Sequence, residues 1–326
     1  MSEPVRWGLL STARINEQLL RAAGETDGAE IVAVASRDAE RARAYAGEHG
    51  IARAHGAYDA LLEDPGVEAV YVSAPNALHV PWSVRALDAG KHVLCEKPLT
   101  ASAAEAEAAF AAAERTGRVL VEAFMWRYHP QTDLLAQLVR EGAVGAPRLA
   151  RATFSFTLDR PGDVRWAAGL EGGALMDVGC YCVSALRLLC GEPERVTGEA
   201  VQGGDGVDAR FSGLLRFAGD VLGGFDCGFD LPRRSRIEVV GEAGSLTSED
   251  PWQGRSPLLL LARDGEPPET VGAEPANPYR LELDDVSRAI REGGEPRLGR
   301  ADALGQARTL GALYRAAGEG RAVALA

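Results

Sequence analysis

The feature that most constrains this chain is the rhythm of its first 125 residues, in which short continuous apolar runs alternate with helical segments. VRWGLL (5–10), EIVAVAS (30–36), VEAVYVSA (67–74), HVLCE (92–96) and VLVEAF (119–124) read as strands. Between them, RINEQLLRAA (14–23), DAERARAYAGEHG (38–50), PWSVRALDAG (81–90) and ASAAEAEAAFAAAERTG (101–117) read as helices. Strands that are apolar throughout, rather than at every second position, are buried on both faces. With helices between them they build a parallel, doubly wound α/β sheet. The rhythm then changes. Alternating segments at 148–156, 208–217, 220–229 and 234–240 are joined by turn sequences such as FAGD and GEAG. They predict half-buried antiparallel strands with one open face. One helix at 172–191 and two more near 279–292 and 301–317 complete this part. The expected fold is therefore α/β: an N-terminal Rossmann domain over 1–125 and a C-terminal α+β domain over 126–326 with a large, mostly antiparallel open sheet.

Composition narrows the function classes. Hydrophobic residues make up 46% and charged residues 25% of the 326, an ordinary globular balance. The net charge of −12 repels a phosphate backbone, so no nucleic acid partner is expected. No apolar run approaches the roughly 20 residues of a membrane span, and the start, MSEPVRWGLL, does not resemble a signal peptide. Five cysteines without CxxC spacing indicate reduced thiols and no metal site, and a cytoplasmic location is the expectation. Of the 35 basic residues only Lys91 and Lys97 are lysines, both in GKHVLCEKPLT. Arginine stays protonated at any working pH, whereas lysine can lose its proton when buried or crowded by charge. Two lysines are thus either survivors of an arginine bias or a chemical choice. Lys91, beside Gly90 at a helix-to-strand turn, reads as a surface residue.

A dinucleotide site needs a strand, a tight loop and a helix N-terminus facing the pyrophosphate. Where the fingerprint carries glycines, this chain has Ser11, Ala13 and Asn16, so the segment also reads as an ordinary strand-to-helix turn. Its small residues still allow close backbone approach, and the Ser11 and Thr12 hydroxyls are phosphate donors by type. The second strand ends Ala35-Ser36-Arg37, where an NAD enzyme commonly places an acid for the ribose 2′-hydroxyl. A serine and an arginine there suit a 2′-phosphate, so NADP(H) is favoured over NAD(H), although Asp38 follows directly.

Three further segments carry a resemblance. Cys95-Glu96-Lys97-Pro98-Leu99, Ala74-Pro75-Asn76-Ala77-Leu78-His79 and Gly172-Gly173-Ala174-Leu175-Met176-Asp177-Val178-Gly179-Cys180-Tyr181 together resemble the Gfo/Idh/MocA oxidoreductases. The segment Glu122-Ala123-Phe124-Met125-Trp126-Arg127-Tyr128-His129-Pro130 is similar to the branch holding dihydrodiol dehydrogenases, xylose dehydrogenases and nucleotide-sugar ketoreductases. The resemblance implies a catalytic Lys97, with Asp177 and Tyr181 as the acid and the tyrosine of the site helix. Substrate binding then falls to Lys97, Arg127, Asp177 and Tyr181. Cofactor binding falls to Ser11, Thr12, Ala13, Arg14 and Ile15, to Ser36 and Arg37, to Ala74, Pro75, Asn76 and His79, and to Glu96 and Lys97.

Hydride transfer to a ketone builds negative charge on oxygen, which needs a proton and positive potential. A tyrosine hydroxyl of ordinary pKa about 10, lowered by a lysine ammonium, can supply that proton. Asp177 and Tyr181, four apart, share one helix face. Read without the resemblance, Asp177 is equally a helix-face acid and Tyr181 a core aromatic. The expected function is an NADP-dependent oxidoreductase that interconverts a secondary alcohol and a carbonyl on a sugar, nucleotide sugar or related cyclic polyol. An aldose or trans-dihydrodiol dehydrogenase is one alternative, and a non-catalytic NADP-binding ligand sensor another. The arginines Arg127, Arg160, Arg165, Arg233, Arg234 and Arg236 are possible partners of a diphosphate. The open sheet face is expected to be covered in a homodimer or homotetramer.

Overall fold

The computed structural model describes residues 3–160 and 162–325. Residues 1, 2, 161 and 326, which include the outer ends of both expected domains, lie outside the described residues. Two compact units are formed, one by the chain up to Met125 together with Tyr279–Leu304, the other by Trp126–Pro278 together with the chain from Gly305 onward. The sequence reading assigned all of 126–326 to the second domain, whereas the structure returns 279–304 to the first unit.

The first unit runs β1 (Val5–Leu10), α1 (Asn16–Ala23), β2 (Ala29–Ala35), α2 (Ala39–His49), β3 (Arg53–His55), α3 (Tyr58–Leu62), β4 (Ala69–Val72), α4 (His79–Asp88), β5 (His92–Glu96), α5 (Ala103–Thr116) and β6 (Leu120–Ala123). All six strands are parallel, in the order β3-β2-β1-β4-β5-β6. The chain begins at the middle of the sheet, builds outward to β3, then crosses back through β4 to the other edge. The carboxyl ends of β1 and β4 therefore flank the point where the order reverses, the place where such sheets bind ligands. Burial explains the sequence rhythm: every residue of β4 is buried, as are the last four of β1 and of β2.

The second unit contains α6 (Pro130–Arg140), β7 (Pro147–Thr157), α7 (Cys180–Cys190), β8 (Pro193–Gln202), β9 (Asp208–Phe217), β10 (Leu222–Gly228), β11 (Asp230–Gly241), β12 (Gly244–Ser248), β13 (Leu258–Arg263) and β14 (Glu269–Gly272). The chain closes with α8 (Pro278–Glu292), α9 (Arg300–Glu319) and β15 (Val323–Ala324). The nine strands form one sheet, β14-β13-β12-β11-β7-β10-β9-β8-β15, in which β7 and β10 are the one parallel pair. Along β9 buried and exposed residues alternate, as expected of a sheet with one open face. Leu214 of β9 and Leu222 of β10 lie on that face, 64% and 48% exposed. The stretch Ala168–Cys190 is long and apolar enough to cross a membrane by length and composition, which amends the sequence expectation; its most apolar 18 residues have a mean hydropathy of 1.4 and 72% of them are buried within the protein, as in a core helix.

Lys91, expected on the surface, is 8% exposed, and its ammonium donates to the carbonyl oxygens of Asp64 and Val67, each at 2.8 Å. Burial pushes its pKa below the usual lysine range. Its three donors on one compact head close the turn between α3 and β4, a task a planar guanidinium does not copy. Lys91→Met is expected to lower the unfolding free energy by about 1–3 kcal/mol through the two abandoned carbonyls, read as an earlier urea midpoint with an unchanged slope.

Candidate active site

The turn after β1 keeps its nucleotide-binding shape without the fingerprint glycines. Ser11 is 8% exposed and adopts φ 147°, a region that favours glycine. Hydrogen bonds hold it there. The Ser11 hydroxyl lies 2.8 Å from the Ser73 hydroxyl and accepts from the Ala13 amide at 3.1 Å, and the fully buried Asn16 amide group donates to the Ser11 carbonyl at 2.7 Å. The Ser73 hydroxyl in turn donates to Asn16 Oδ1 at 2.6 Å. The Ser11 hydroxyl is thus engaged in shaping the turn. Thr12, Ala13 and Ile15 are half-buried, and Arg14 is exposed. Among the described residues, the amides of Thr12, Arg14 and Ile15 have no main-chain or side-chain partner. Free amides at the start of α1 fit an anionic group such as a pyrophosphate.

At the end of β2, Ser36 is 6% exposed and Arg37 is exposed with no ion-pair partner among the described residues. Asp38, the acid that would otherwise reach a ribose, caps α2: its Oδ1 accepts from the amides of Glu40 at 2.8 Å and Arg41 at 3.1 Å. The Arg41 amide and then the Glu40 amide hold its carboxyl below the usual range.

The loop that carries Lys97 is held at four points. Tyr71, 1% exposed, donates its hydroxyl to Glu96 Oε1, and Glu96 Oε2 accepts from the Lys97 amide at 3.3 Å. The Leu99 amide donates to buried Glu122 at 2.8 Å. His79 completes the set, with Nδ1 2.8 Å from the Pro98 carbonyl oxygen and Nε2 2.8 Å from that of Ala74. His79 is 1% exposed and burial, against the pull of the two carbonyls, pushes its pKa down to about 4, so at neutral pH its single ring N–H donates to one of them. His79 thereby staples the 74–79 loop to the lysine loop. Pro75 and Asn76 are half-buried on that same loop and Ala74 is buried at its start. The Lys97–Pro98 peptide is cis, and Lys97 is half-buried.

In the second unit, Asp177 and Tyr181 belong to one helical segment, but its first turn, Leu175–Gly179, is π rather than α, and α7 starts only at Cys180. π turns are frequent at functional sites because the extra residue re-aims its neighbours. Asp177 is paired: Arg165 Nε donates to its Oδ2 at 2.8 Å and Arg165 Nη1 to Asp163 at 3.2 Å. The charge of Asp177, above all, raises the pKa of Arg165. Arg165 is therefore a partner of the site acid, which sequence reasoning did not see. Tyr181 is 9% exposed, with its ring edge-on to Phe154 at 5.4 Å and to Trp252 at 5.7 Å. Arg127 donates to the Ser184 hydroxyl at 3.3 Å and lies over Trp126. Arg233, Arg234, Arg236 and Arg255, with Glu249 and Asp250, line a separate cleft of about 590 Å³. Arg160 has no ion pair among the described residues. All five cysteines are free thiols, and the described residues contain no cluster of three or more ligand side chains placed for a metal.

A parallel sheet of this order, with a free-amide turn at its centre and an anchored lysine at the end of β5, defines a nucleotide-binding oxidoreductase of the Rossmann class. The sequence pattern of the oxidoreductase family with an NAD-binding Rossmann fold matches residues 5–124, and that of the GFO/IDH/MocA C-terminal domain matches residues 132–247. The chain belongs to the GFO/IDH/MocA family of oxidoreductases. It is 41% identical to a D-xylose 1-dehydrogenase (NADP(+)) from Haloferax volcanii, over 98% of this chain and 99% of that one. It is 33% identical to the trans-1,2-dihydrobenzene-1,2-diol dehydrogenase of Mus musculus, over 83% of this chain and 82% of that one. Among solved structures it is similar to KijD10, a 3-ketoreductase from Actinomadura kijaniata in complex with NADP and TDP-benzene, with a TM-score of 0.91 and 32% identity over 96% of this chain and 98% of that one.

Proposed function

We propose that this protein is an NADP-dependent dehydrogenase acting on a secondary alcohol or hemiacetal carbon of a free sugar or related cyclic polyol. The observation that carries the reading is the anchoring of Lys97 at the end of β5, where Glu96, Glu122 and His79 fix the main chain on both sides of it. Held by the turn at the start of α1 and by Arg37, a nicotinamide cofactor would supply the hydride donor or acceptor for the substrate carbon. Lys97 binds the substrate oxygen and stabilises its developing charge, and Tyr181 gives or takes the proton at Oη. Asp177, held by Arg165, orients a substrate hydroxyl, and Arg127 binds the substrate beside it. Similarity to the Haloferax D-xylose dehydrogenase supports the substrate class. The preference for NADP rests on Arg37, exposed and unpaired among the described residues, and on Asp38, whose carboxylate is committed to α2. Further copies of this chain cover the open sheet face around Leu214 and Leu222, giving a homodimer or homotetramer.

Steady-state kinetics with D-xylose test the reading, run with NADP+ and with NAD+. Oxidation of D-xylose with a higher kcat/KM for NADP+ is expected, and a preference for NAD+ removes the cofactor assignment. Arg37→Ala is expected to raise the KM for NADP+ by about 10- to 100-fold, the worth of one charge-assisted phosphate contact, and to leave NAD+ kinetics almost unchanged.

A second reading, reduction of a ketone on a nucleoside-diphosphate sugar, is favoured by the arginine cleft. Four guanidiniums and two acids line it; Arg234 also pairs with Asp226, Arg236 with Glu238 and Glu249, and Arg255 with Asp250, and a diphosphate is a bidentate match for arginine. Turnover of a TDP-linked ketosugar with NADPH, where free sugars fail, selects this reading over the first.

A further inference from the structure

The segment that carries Asp177 and Tyr181 begins in an unusual way. Gly173 has φ 114°, and a Cβ at that position would sit 2.2 Å from Asp208 Oδ1. Asp208, the first residue of β9, is 3% exposed. Its Oδ2 accepts from the Leu175 amide at 2.6 Å, the Ala174 amide also points to it, and its Oδ1 accepts from the Tyr314 hydroxyl at 3.0 Å. The helix N-terminus is thus capped by a carboxylate from a strand 33 residues away in sequence. We propose that Asp208 is the positioning residue of the 172–181 segment: its ionised carboxylate holds the Gly173–Leu175 turn and so sets the direction in which Asp177 and Tyr181 project. The proposal rests on the roles given to those two residues above.

A charge in this place is costly to keep, which argues that it is kept for a purpose other than stability. Burial, against the opposing amide and Tyr314 hydrogen bonds, raises the Asp208 pKa from 3.8 to about 6. Because the folded value lies above the unfolded one, the unfolded chain gives up this proton first. The group's contribution to stability is therefore full at pH below 3.8, declines between 3.8 and about 6, and stays low above that. Among the described residues, Tyr314 of α9 and Cys227 of β10 face the carboxylate, with Cys180 and Cys182 of α7 beyond them beside Cys227. Burial pushes Tyr314, Cys182 and Cys227 far up, so these three do not ionise near neutrality. Below about pH 6 the carboxyl is neutral, gives up its charge at the helix N-terminus and loosens the turn.

The test combines kinetics with a readout that needs no turnover. In the wild type, kcat for D-xylose with NADP+ is expected to fall on the acid side with a midpoint near 6. Hydrogen-exchange protection of the 172–181 peptide, corrected for intrinsic rates, is expected to fall with the same midpoint. Asp208→Asn keeps the shape but no charge, with one oxygen to accept from the Leu175 amide and an NH2 that can only donate, to the Tyr314 hydroxyl oxygen. Its kcat at pH 8 should drop roughly tenfold or more with little change in KM, and its peptide protection should lose the transition. Its melting temperature should hold or rise, since a buried charge has gone. Tyr314→Phe removes a bond to the charged form and should move both midpoints to higher pH. The proposal is overturned if Tyr314→Phe leaves both midpoints in place, if Asp208→Asn keeps wild-type kcat, or if its kcat and melting temperature fall together. If D-xylose is not oxidised at all, the proposed function fails, while the exchange transition and its shift in Tyr314→Phe still decide the role of Asp208.

Discussion

Lys97→Met is expected to reduce kcat/KM for the sugar by about a thousandfold while the protein folds and binds NADPH nearly as before. The size follows from what the ammonium is asked to do: stabilising developing charge and assisting proton transfer contribute roughly 10²–10⁴-fold, and a thousandfold loss is about 4 kcal/mol of transition-state binding. The sparing of the fold follows from the anchors. Glu96 accepts from the Lys97 main-chain amide, Glu122 from that of Leu99, and His79 faces the Pro98 carbonyl, so none of the three depends on the ammonium. Methionine keeps the length and apolar stem of the lysine. NADPH fluorescence titration and sugar kinetics on the same preparation separate the two effects, and a loss of only a few-fold in turnover would exclude Lys97 from the chemistry. Lys97→Arg provides a second comparison. It restores charge but not a compact head, so little recovery is expected.

Tyr181→Phe is expected to lower kcat by about a hundredfold or more, with a KM within a few-fold of the wild type. The ring sits edge-on to Phe154 and Trp252, and phenylalanine preserves both contacts. If Tyr181 were only a core aromatic, this change would be close to neutral in every assay. A retained melting temperature with lost turnover therefore discriminates sharply between the readings, and wild-type turnover in Tyr181→Phe would end the assignment of the proton to its hydroxyl.

Legibility in the sequence followed the range of the interactions. The parallel sheet could be read because burial on both faces leaves continuous apolar strands, and β5 and β9 fall on the residues expected from pattern alone. β3 was not read: three half-buried residues, Arg-Ala-His, at a sheet edge have no apolar signature. The helix α6 was not read: the motif segment ends at Pro130, where the helix begins, although proline at its first position and His129 as its cap mark the start. β13 is a continuous leucine run in which Leu258 and Leu260 face out while Leu259 and Leu261 face in, an alternation that apolar residues at every position conceal. In the site, residue types near the expected loops were visible, but their partners were not. Ser73 lies 62 residues from Ser11, Glu122 lies 23 from Leu99, and Asp208 lies 33 from Leu175. Asn16 offered a signal that could have been used. A buried polar residue where the fingerprint has a glycine has to find partners.

The return of residues 279–304 to the first unit has a consequence for the order in which the protein is made. Trp7 of β1 donates to Ser287 of α8, Thr26 donates to Asp284, and Glu68 is gripped by Arg291, which holds its carboxyl near 2. The nucleotide-binding sheet is complete in sequence by residue 123, but its last covering helix emerges from the ribosome only after some 150 further residues, at roughly 5–20 residues per second. The unit that is encoded first is therefore not finished until most of the second has been made. During synthesis its tryptophan face waits, open, for a helix that the rest of the chain must precede.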